Sequence, residues 1–471
     1  MMGSRPWWQW GATELHQAYR AGTATPVQVA SAVLDHVNRA NPALNSLVHI
    51  RADDFLADAQ ASTLRFERGQ PAGDLDGIPL SIKDNLLTTD MPTTWGCEAL
   101  RDHLDPRDEV AVARARNSGA LLIGKTNVPE FTLEGYTANR LHGTTRNPWD
   151  LARTPGGSSG GAVAGVAAGL FPLALGTDGG GSIRRPASHC GVVGLKPSIG
   201  AIPREATLPP LLLDFEVVGP MARTVADLRL LFGAVRGPSA ADRRSLAAAH
   251  AAAPVRGEAQ GLRILYVPTL GDAPVDAQVA SSVQQAAGHL HAMGHSVEQG
   301  SLPLDLGYFT EAWPQIGQIG LAAMFDAHPQ WRSASSQKYL EMAGAGSTLP
   351  AARLWEITER VEALRRDCNA LFRRYDLVLT PAAAALPWPA NEAFPPVING
   401  HSVGPRGHAI FTGWVNACGH PAAALPCRPS AEGLPIGMQI VGDYGADDLL
   451  LAVAADYEQA HPWSDRWPMP N

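Results

Sequence analysis

The amino-acid sequence predicts an α/β fold built as one large domain. Six short apolar runs, each typical of a buried strand, alternate along the chain with stretches of helical periodicity. The chain has 471 residues and a hydrophobic fraction of 45%, which is enough for a large core, and no repeat of fixed period divides it. The strand-like runs cover residues 77–84, 119–126, 171–178, 262–268, 375–381 and 435–442.

Helical patterns accompany these runs from the start of the chain. Thr25 and Pro26 are a typical N-cap and first helical residue, and the apolar residues after them recur at helical spacing. The apolar tract 162–176 contains glycines and Pro172 and is shorter than the roughly 20 residues that cross a bilayer. It therefore predicts a core helix that leads into a strand.

We expect a single domain over residues 1–471. Its core is expected at about 60–230 and 370–460, where the strand-like runs concentrate. The segment 237–261 is rich in alanine and arginine and weakly patterned, which is typical of a surface connection rather than a core element.

Charge and cysteine content exclude several classes of protein. The net charge is −8, and no basic run interleaves with aromatic residues, so we expect no nucleic-acid partner. The five cysteines are scattered without a CxxC pair and the histidines lack zinc-ligand spacing, so no disulfide framework or structural metal is expected. The first residues lack the apolar region of a secretory signal. These features predict a cytoplasmic protein with no membrane partner.

One segment matches a nucleotide-binding motif. Residues 118–126, SGALLIGKT, contain the glycines, lysine and threonine of a phosphate-binding loop. The residues between the two glycines favour a buried strand over the turn that wraps phosphates, and Pro129 would interrupt the helix that must follow. We therefore interpret the segment as a strand, with Lys125 solvated or capping a neighbouring group.

Two glycine–serine clusters lie between residues 154 and 191. Both are embedded in dense apolar sequence, which is not typical of a flexible linker. A serine flanked by glycines is accessible to a substrate, and successive backbone amides in such a turn can converge on one point, as an oxyanion hole requires. The candidate donors are Gly179, Gly180 and Gly181, next to Ser182.

A serine nucleophile needs a base, and the sequence offers two candidates. His189 follows Ser182, but the G-x-S-x-G elbow of α/β-hydrolases is absent, so we interpret His189 as a buried supporting residue. Lys83 ends an apolar strand, where a desolvated amine can lose its charge near neutral pH. Cys190 has no adjacent base in its apolar neighbourhood and is not expected to be a nucleophile.

These motifs resemble those of the amidase signature family of serine hydrolases. The family's lysine segment, GGSSGG cluster, GTDxGGSIRxPA segment and GLKPT segment all have counterparts, and the resemblance extends to the strand-like run that ends at Gly442. It implies a single domain with a mixed, twisted central β-sheet surrounded by α-helices. The matching segments are Ser81–Asn85, Gly156–Gly161, Gly176–Ala187 and Gly194–Ser198, together with Gly124–Phe131.

The resemblance also implies a Ser–cisSer–Lys triad. Ser182 would be the nucleophile, Ser158 the bridging serine after a cis peptide bond from Gly157, and Lys83 the base. Gly179 departs from the family, which commonly has threonine or isoleucine there, and the residues after Pro197 lack a basic residue that usually follows. Residues expected to support the site or touch the substrate are Ser159, Asp178 and Tyr136, and the tryptophans considered for the pocket or the core are Trp95, Trp313, Trp388 and Trp414.

The expected function is hydrolysis of small amides, with esters and carbamates accessible to the same acyl-enzyme route. The partner would be a small-molecule substrate, with no cofactor, and a homodimer is the assembly considered. The resemblance leaves open the A subunit of a tRNA-dependent amidotransferase, which releases ammonia from glutamine. The acidic charge and the missing basic residue argue against that alternative. A phosphate-loop NTPase and an inactive scaffold of the same fold are the remaining alternatives.

Overall fold

A mixed β-sheet forms the centre of the computed structural model, which describes residues 5–205, 207–251 and 259–468. These residues contain fifteen strands. In chain order they are β1 (Leu47–Ile50), β2 (Pro79–Lys83), β3 (Leu121–Thr126), β4 (Ala138–Asn139), β5 (Gly143–Thr144), β6 (Leu173–Asp178), β7 (Val193–Lys196), β8 (Val217–Ala222), β9 (Arg263–Tyr266), β10 (Ser296–Gln299), β11 (Leu377–Pro381), β12 (Val397–Ile398), β13 (His401–Ser402), β14 (Ala422–Pro426) and β15 (Gly437–Gly442).

Eleven of these strands form one sheet, in the spatial order β1-β3-β2-β6-β8-β7-β14-β15-β11-β9-β10. Strand β2 runs parallel to β3 and β6, and β9 runs parallel to β10 and β11. The pairs that connect these two parallel groups across the centre of the sheet are antiparallel. The predicted α/β fold with a mixed central sheet is confirmed.

Helices surround the sheet, so the strands β2, β3, β6 and β8 are buried along their whole length. No described helix combines the length and apolar character needed to cross a membrane. The helices of the described residues are α1 (Ala12–Arg20), α2 (Pro26–Leu44), α3 (Ala52–Glu67), α4 (Val110–Asn117), α5 (Gly160–Ala167), α6 (Arg184–Cys190), α7 (Val225–Val235), α8 (Arg243–Ala251), α9 (Ala277–Ala292), α10 (Gly307–Ala327), α11 (Gln337–Ser347), α12 (Ala351–Arg374), α13 (Gly413–Cys418) and α14 (Asp447–Ala460).

Local sequence patterns predicted the elements that surround the glycine–serine clusters. Helix α2 begins at Pro26, and the Thr25 hydroxyl accepts a hydrogen bond from the backbone amide of Gln28. Each of the six strand-like runs contains a strand of the large sheet, and the tract 162–176 covers most of α5 and leads into β6. These predictions are confirmed.

The segment that matches a nucleotide-binding motif is the fully buried strand β3. Lys125 is not exposed, and its amine donates hydrogen bonds to the backbone oxygen of Leu86 and to the hydroxyl of Thr93 at 2.7 Å. The expectation that Lys125 would be solvated is wrong, because β3 lies between β1 and β2 inside the sheet, and its alternative role of capping neighbouring groups is confirmed.

The sheet extends beyond the two ranges in which we expected the core. Strands β9 and β10 lie between those ranges and β1 precedes them, yet all three belong to the large sheet. The predicted surface connection, 237–261, contains helix α8, so its alanine-rich part is more regular than its weak pattern indicated. Residues 252–258 of that connection lie outside the described residues.

Candidate active site

The first candidate residues meet at one edge of the sheet. Lys83 is the last residue of β2 and Asp178 the last residue of β6, and these two strands are parallel neighbours. Because parallel strands end at the same edge, Lys83 comes close to the turn that follows Asp178 and carries Ser182. The segment before α5 brings Ser158 to the same place.

The Lys83 amine is buried and makes three hydrogen bonds. It donates to the Ser158 hydroxyl at 2.8 Å, to the Thr177 hydroxyl at 2.9 Å and to the Thr177 backbone oxygen at 3.1 Å. Burial lowers the pKa of Lys83 to about 7, against the opposing effect of the carboxylates of Glu216 and Asp178. A large fraction of this amine is therefore neutral near pH 7; the neutral form has two N–H donors and a lone pair, so it can accept a hydrogen bond from the Ser158 hydroxyl instead of donating one.

Ser158 follows a cis peptide bond from Gly157, as the resemblance implied. A side chain at Gly157 would place its Cβ atom 2.2 Å from the backbone oxygen of Tyr136, so only glycine fits this bend. Ser159 connects the bend to the second loop, because its amide donates to the Ser182 backbone oxygen at 3.1 Å and its hydroxyl to the Thr177 oxygen at 3.2 Å. The segment with Ser158 is thereby held beside Ser182.

Asp178 organises the turn that presents Ser182. Its carboxylate accepts hydrogen bonds from the backbone amides of Gly181 at 2.6 Å and Ile183 at 3.0 Å, and it forms an ion pair with Arg184 at 2.9 Å. Burial alone would raise the pKa of Asp178, but Arg184 and the hydrogen bonds hold it well below its usual range. Asp178 therefore both closes the turn and pairs with Arg184.

The amides of the glycine turn are not equivalent. The Gly181 amide is already bonded to Asp178, so it is not free to bind an oxyanion. The amides of Gly179, Gly180 and Ser182 make no hydrogen bond to any described residue. Of the three glycine amides expected to bind an oxyanion, those of Gly179 and Gly180 have no acceptor among the described residues, whereas that of Gly181 is taken by the carboxylate that closes the turn.

Ser182 is 7% exposed and lines a cavity of about 580 Å³. No hydrogen bond joins its hydroxyl to Ser158 or to a histidine among the described residues. His189 is buried, its Nε2 atom lies 3.2 Å from the backbone oxygen of Ala385, and burial lowers its pKa to about 4. His189 is thus a buried supporting residue, as the sequence indicated.

The aromatic residues considered for the pocket or the core divide between the two. Trp313 lines it together with Ser182, whereas Tyr136 does not belong to the lining. The backbone of Tyr136 packs against Gly157, and its ring lies 5.9 Å from the amine of Lys338, a residue of the cavity wall. The other tryptophans considered are buried in the protein: Trp95, Trp388 and Trp414.

Sequence reasoning missed Thr177, which contacts the Lys83 amine. The Asn85 amide donates to the Thr177 hydroxyl at 3.0 Å and to the Glu216 carboxylate at 3.0 Å, and Arg204 pairs with Glu216 at 3.3 Å. The position of Thr177 immediately before Asp178 in a strand parallel to β2 could have identified it, whereas the contacts of Glu216 and Arg204, which lie between β7 and β8, depend on the tertiary fold.

A second cluster of side chains with metal-ligating atoms shares no residue with this site. Within the described parts of the chain, the ligand atoms of Cys368, Cys418 and His420 lie within 4.8 Å of one another. The hydrogen bond with the Cys418 thiol, together with burial, raises the pKa of Cys368 above its usual range. Sequence spacing could not show this cluster, because α12 and the end of α13 bring its members together.

Comparison with known proteins places the chain among amidases. A family model described as Amidase matches residues 28–451. The chain is 33% identical over 467 residues to an acylamidase from Rhodococcus erythropolis, covering 97% of this chain and 96% of that protein. It is also 33% identical over 476 residues to the A subunit of the glutamyl-tRNA(Gln) amidotransferase from Symbiobacterium thermophilum, covering 95% of this chain and 96% of that relative.

Two solved structures show the same architecture. A bacterial aryl acylamidase of the amidase signature family superposes with a TM-score of 0.87 at 30% identity, covering 97% of each chain. A 6-aminohexanoate cyclic dimer hydrolase, solved with its substrate, superposes with a TM-score of 0.87 at 28% identity, covering 98% of this chain and 99% of that one. Sequence and fold agree along nearly the whole length, so the chain belongs to the amidase signature family of hydrolases, enzymes that act on carbon–nitrogen bonds.

Proposed function

We propose that this protein is an amidohydrolase that cleaves small amides through an acyl-enzyme on Ser182. The observation that carries the proposal is the hydrogen bond from Lys83 to Ser158, in which an amine with a pKa near neutrality meets the hydroxyl beside the loop of Ser182. A serine hydroxyl is a weak nucleophile until a base removes its proton, and this pair supplies one.

The attack begins with two proton transfers. The Ser182 oxygen attacks the substrate carbonyl carbon while its proton passes to the Ser158 oxygen, whose own proton moves to the neutral amine of Lys83. The carbon–oxygen bond forms as the carbonyl π electrons move onto oxygen. The product of this step is a tetrahedral intermediate with a negatively charged oxygen and an ammonium group at Lys83.

The oxyanion would be bound by the backbone amides of Gly179 and Gly180. These amides have no acceptor in the described protein, and Gly180 lines the cavity together with Ser182. Asp178 holds the turn in place through the Gly181 amide, so the free donors are preorganised. Loss of one such donor typically costs about 3 to 4 kcal/mol of transition-state stabilisation.

Collapse of the intermediate breaks the carbon–nitrogen bond. The leaving nitrogen takes a proton from Ser158, which takes one from the Lys83 ammonium, so Ser158 and Lys83 return to their starting protonation states while Ser182 remains acylated. Water then attacks the ester of Ser182, with the same relay removing its proton and later returning one to the serine oxygen. Esters and carbamates fit this route, because both form the same kind of acyl-enzyme.

Relatives support amides as the substrate class, since an acylamidase and an aryl acylamidase align over nearly the whole chain. A second candidate is the glutaminase of a tRNA-dependent amidotransferase, because the A subunit of such an enzyme is an equally identical relative. Assay of the purified chain with acetanilide and with glutamine separates the two. Turnover of glutamine only when a partner protein is added would support the second candidate.

Labelling with a fluorophosphonate tests the nucleophile. We expect one adduct, mapped by peptide mass spectrometry to Ser182, and none in the Ser182→Ala variant. An adduct on any other residue of the wild-type protein would refute the assignment. The exposed Ser347 provides a control, because Ser347→Ala should leave labelling unchanged.

A further inference from the structure

The cavity of Ser182 contains a buried arginine without a carboxylate partner. Arg185 is 5% exposed, its Nε atom has no hydrogen-bond partner among the described residues, and its Nη2 atom reaches only the Gly157 backbone oxygen, at 3.5 Å. Buried arginines are usually paired, because an uncompensated charge in the interior is costly. Arg185 therefore offers hydrogen-bond donors to the cavity that the protein does not use.

The adjacent Arg184, on the same helix, is fully hydrogen-bonded by the protein. Its guanidinium donates to Asp178, Gln439 and Asn416 and to the backbone oxygen of Thr412. These two neighbouring residues of α6 thus have different surroundings, because Arg184 is hydrogen-bonded to protein acceptors and Arg185 lines the cavity.

A second arginine lies on the same cavity. Arg406 is exposed, its guanidinium carbon lies 5.6 Å from the ring centre of Trp313, and no described carboxylate pairs with it. Burial lowers the pKa of Arg185 to about 9, and repulsion by Arg406 acts in the same direction. Both guanidinium groups line the same cavity, so two positive charges face one space.

Acidic groups of the cavity do not offset these charges. Among the described lining residues the only carboxylate is that of Glu134, and it is already paired with the amine of Lys338 at 2.5 Å. The wall of the cavity therefore has an excess of positive charge. A bound anion would remove the repulsion and use the free donors, which is the arrangement in which arginine binds carboxylates.

We propose that the substrate of this enzyme carries a carboxylate, which Arg185 and Arg406 bind while Ser182 attacks the amide. This inference rests on the proposed amidohydrolase function and names its substrate class. Arg185 lies three residues after Ser182 and reaches the residue before Ser158, so the carboxylate is held close to the scissile bond. The carboxylate belongs either to the acyl part or to the amine part of the amide.

Two matched pairs of anilides test the proposal and distinguish these positions. Succinanilate and butyranilide differ by a carboxylate in the acyl part, and 4-acetamidobenzoate and 4-methylacetanilide differ by one in the amine part. We expect the wild-type enzyme to prefer the carboxylated member of at least one pair by about 10-fold or more in kcat/KM. Preference for the neutral member in both pairs would overturn the proposal.

Substitution of the two arginines tests whether they cause the preference for the carboxylated substrate. We expect Arg185→Gln and Arg406→Gln each to reduce the ratio of kcat/KM for the preferred carboxylate over its neutral partner by about 10- to 100-fold, as for loss of a charged hydrogen bond. Arg229→Gln, at an exposed position of α7, should leave that ratio unchanged. An equal loss with both members of a pair in Arg185→Gln would assign Arg185 a structural role and overturn the proposal.

A binding experiment separates this inference from the proposed function. Calorimetry of succinanilate and 4-acetamidobenzoate with Ser182→Ala requires no turnover. We expect binding of at least one of them to weaken about 10-fold or more when Arg185→Gln is added. Equal affinity in both proteins would overturn the carboxylate site. Absence of fluorophosphonate labelling and of all amide turnover in the wild type, with such binding retained, would refute only the catalytic proposal.

Discussion

Asp178 and Arg184 form an ion pair of 2.9 Å in which neither side chain is exposed to solvent. The same carboxylate binds the Gly181 amide, and the Asn416 side chain from α13 donates to it at 2.9 Å. The pair therefore stabilises the turn that carries Ser182, and the Asp178 carboxylate occupies the Gly181 amide, which is then not free to bind a substrate oxygen.

Loss of this pair is expected to destabilise the protein. Arg184→Gln leaves the Asp178 carboxylate buried without its counter-charge, which typically lowers the free energy of unfolding by about 3 to 5 kcal/mol. Thermal and urea unfolding measure the change. Arg101→Gln is the matched control, because Arg101 and Glu98 form an exposed pair, for which about 1 kcal/mol or less is expected. Equal effects of the two substitutions would contradict the role of the buried pair.

The activity is expected to depend on pH through Lys83. The base must be neutral to accept a proton, and its pKa in the fold is about 7, so kcat/KM for 4-methylacetanilide should rise by about tenfold per pH unit below 7 and level off above it. Lys83→Ala should lose activity, with partial recovery at high pH, and Lys83→Arg should be inactive throughout because guanidinium does not deprotonate. A flat wild-type profile from about pH 5 to 9 would contradict this assignment.

The same depressed pKa affects stability. Lys83 has a pKa of about 7 in the folded protein and about 10.5 when unfolded, so the unfolded state binds more protons between these two pH values. The contribution of Lys83 to the free energy of unfolding therefore increases as the pH rises through that window. Lys83→Met removes the penalty of the buried amine. We expect its advantage in Tm over the wild type to be largest below pH 7 and to shrink toward pH 10. An advantage that grows with pH would contradict the direction of the shift.

Glycine at position 157 is expected to be essential. Gly157→Ala places a methyl group 2.2 Å from the Tyr136 backbone oxygen, so the segment of Ser158 must shift. We expect a lower Tm and at least a 100-fold loss of fluorophosphonate labelling rate, about the effect of losing a positioned catalytic group. The control is Gly288→Ala in α9, where the added methyl group meets no atom and should stabilise the helix by about 0.5 to 1 kcal/mol. Unchanged labelling in Gly157→Ala would contradict the proposed bend.

Much of this architecture could be predicted from local patterns. The six apolar runs identified strands of the large sheet, and Thr25 identified the start of α2, because strand burial and helix capping depend on residues close in sequence. Strands β9 and β10 lie outside the ranges in which we expected the core, because pairing in a sheet joins segments that are far apart along the chain.

By itself, the sequence identified the candidate triad residues through their resemblance to the motifs of the amidase signature family. It also showed the glycines that permit their loops, because the backbone freedom of glycine is a local property. The tertiary structure decided how these groups are used. It brings Lys83 to Ser158 through parallel strands and buries its amine, and it assigns the Gly181 amide to Asp178. It also leaves Arg185 without a partner, because a side chain's charge balance depends on distant segments that only folding brings into contact.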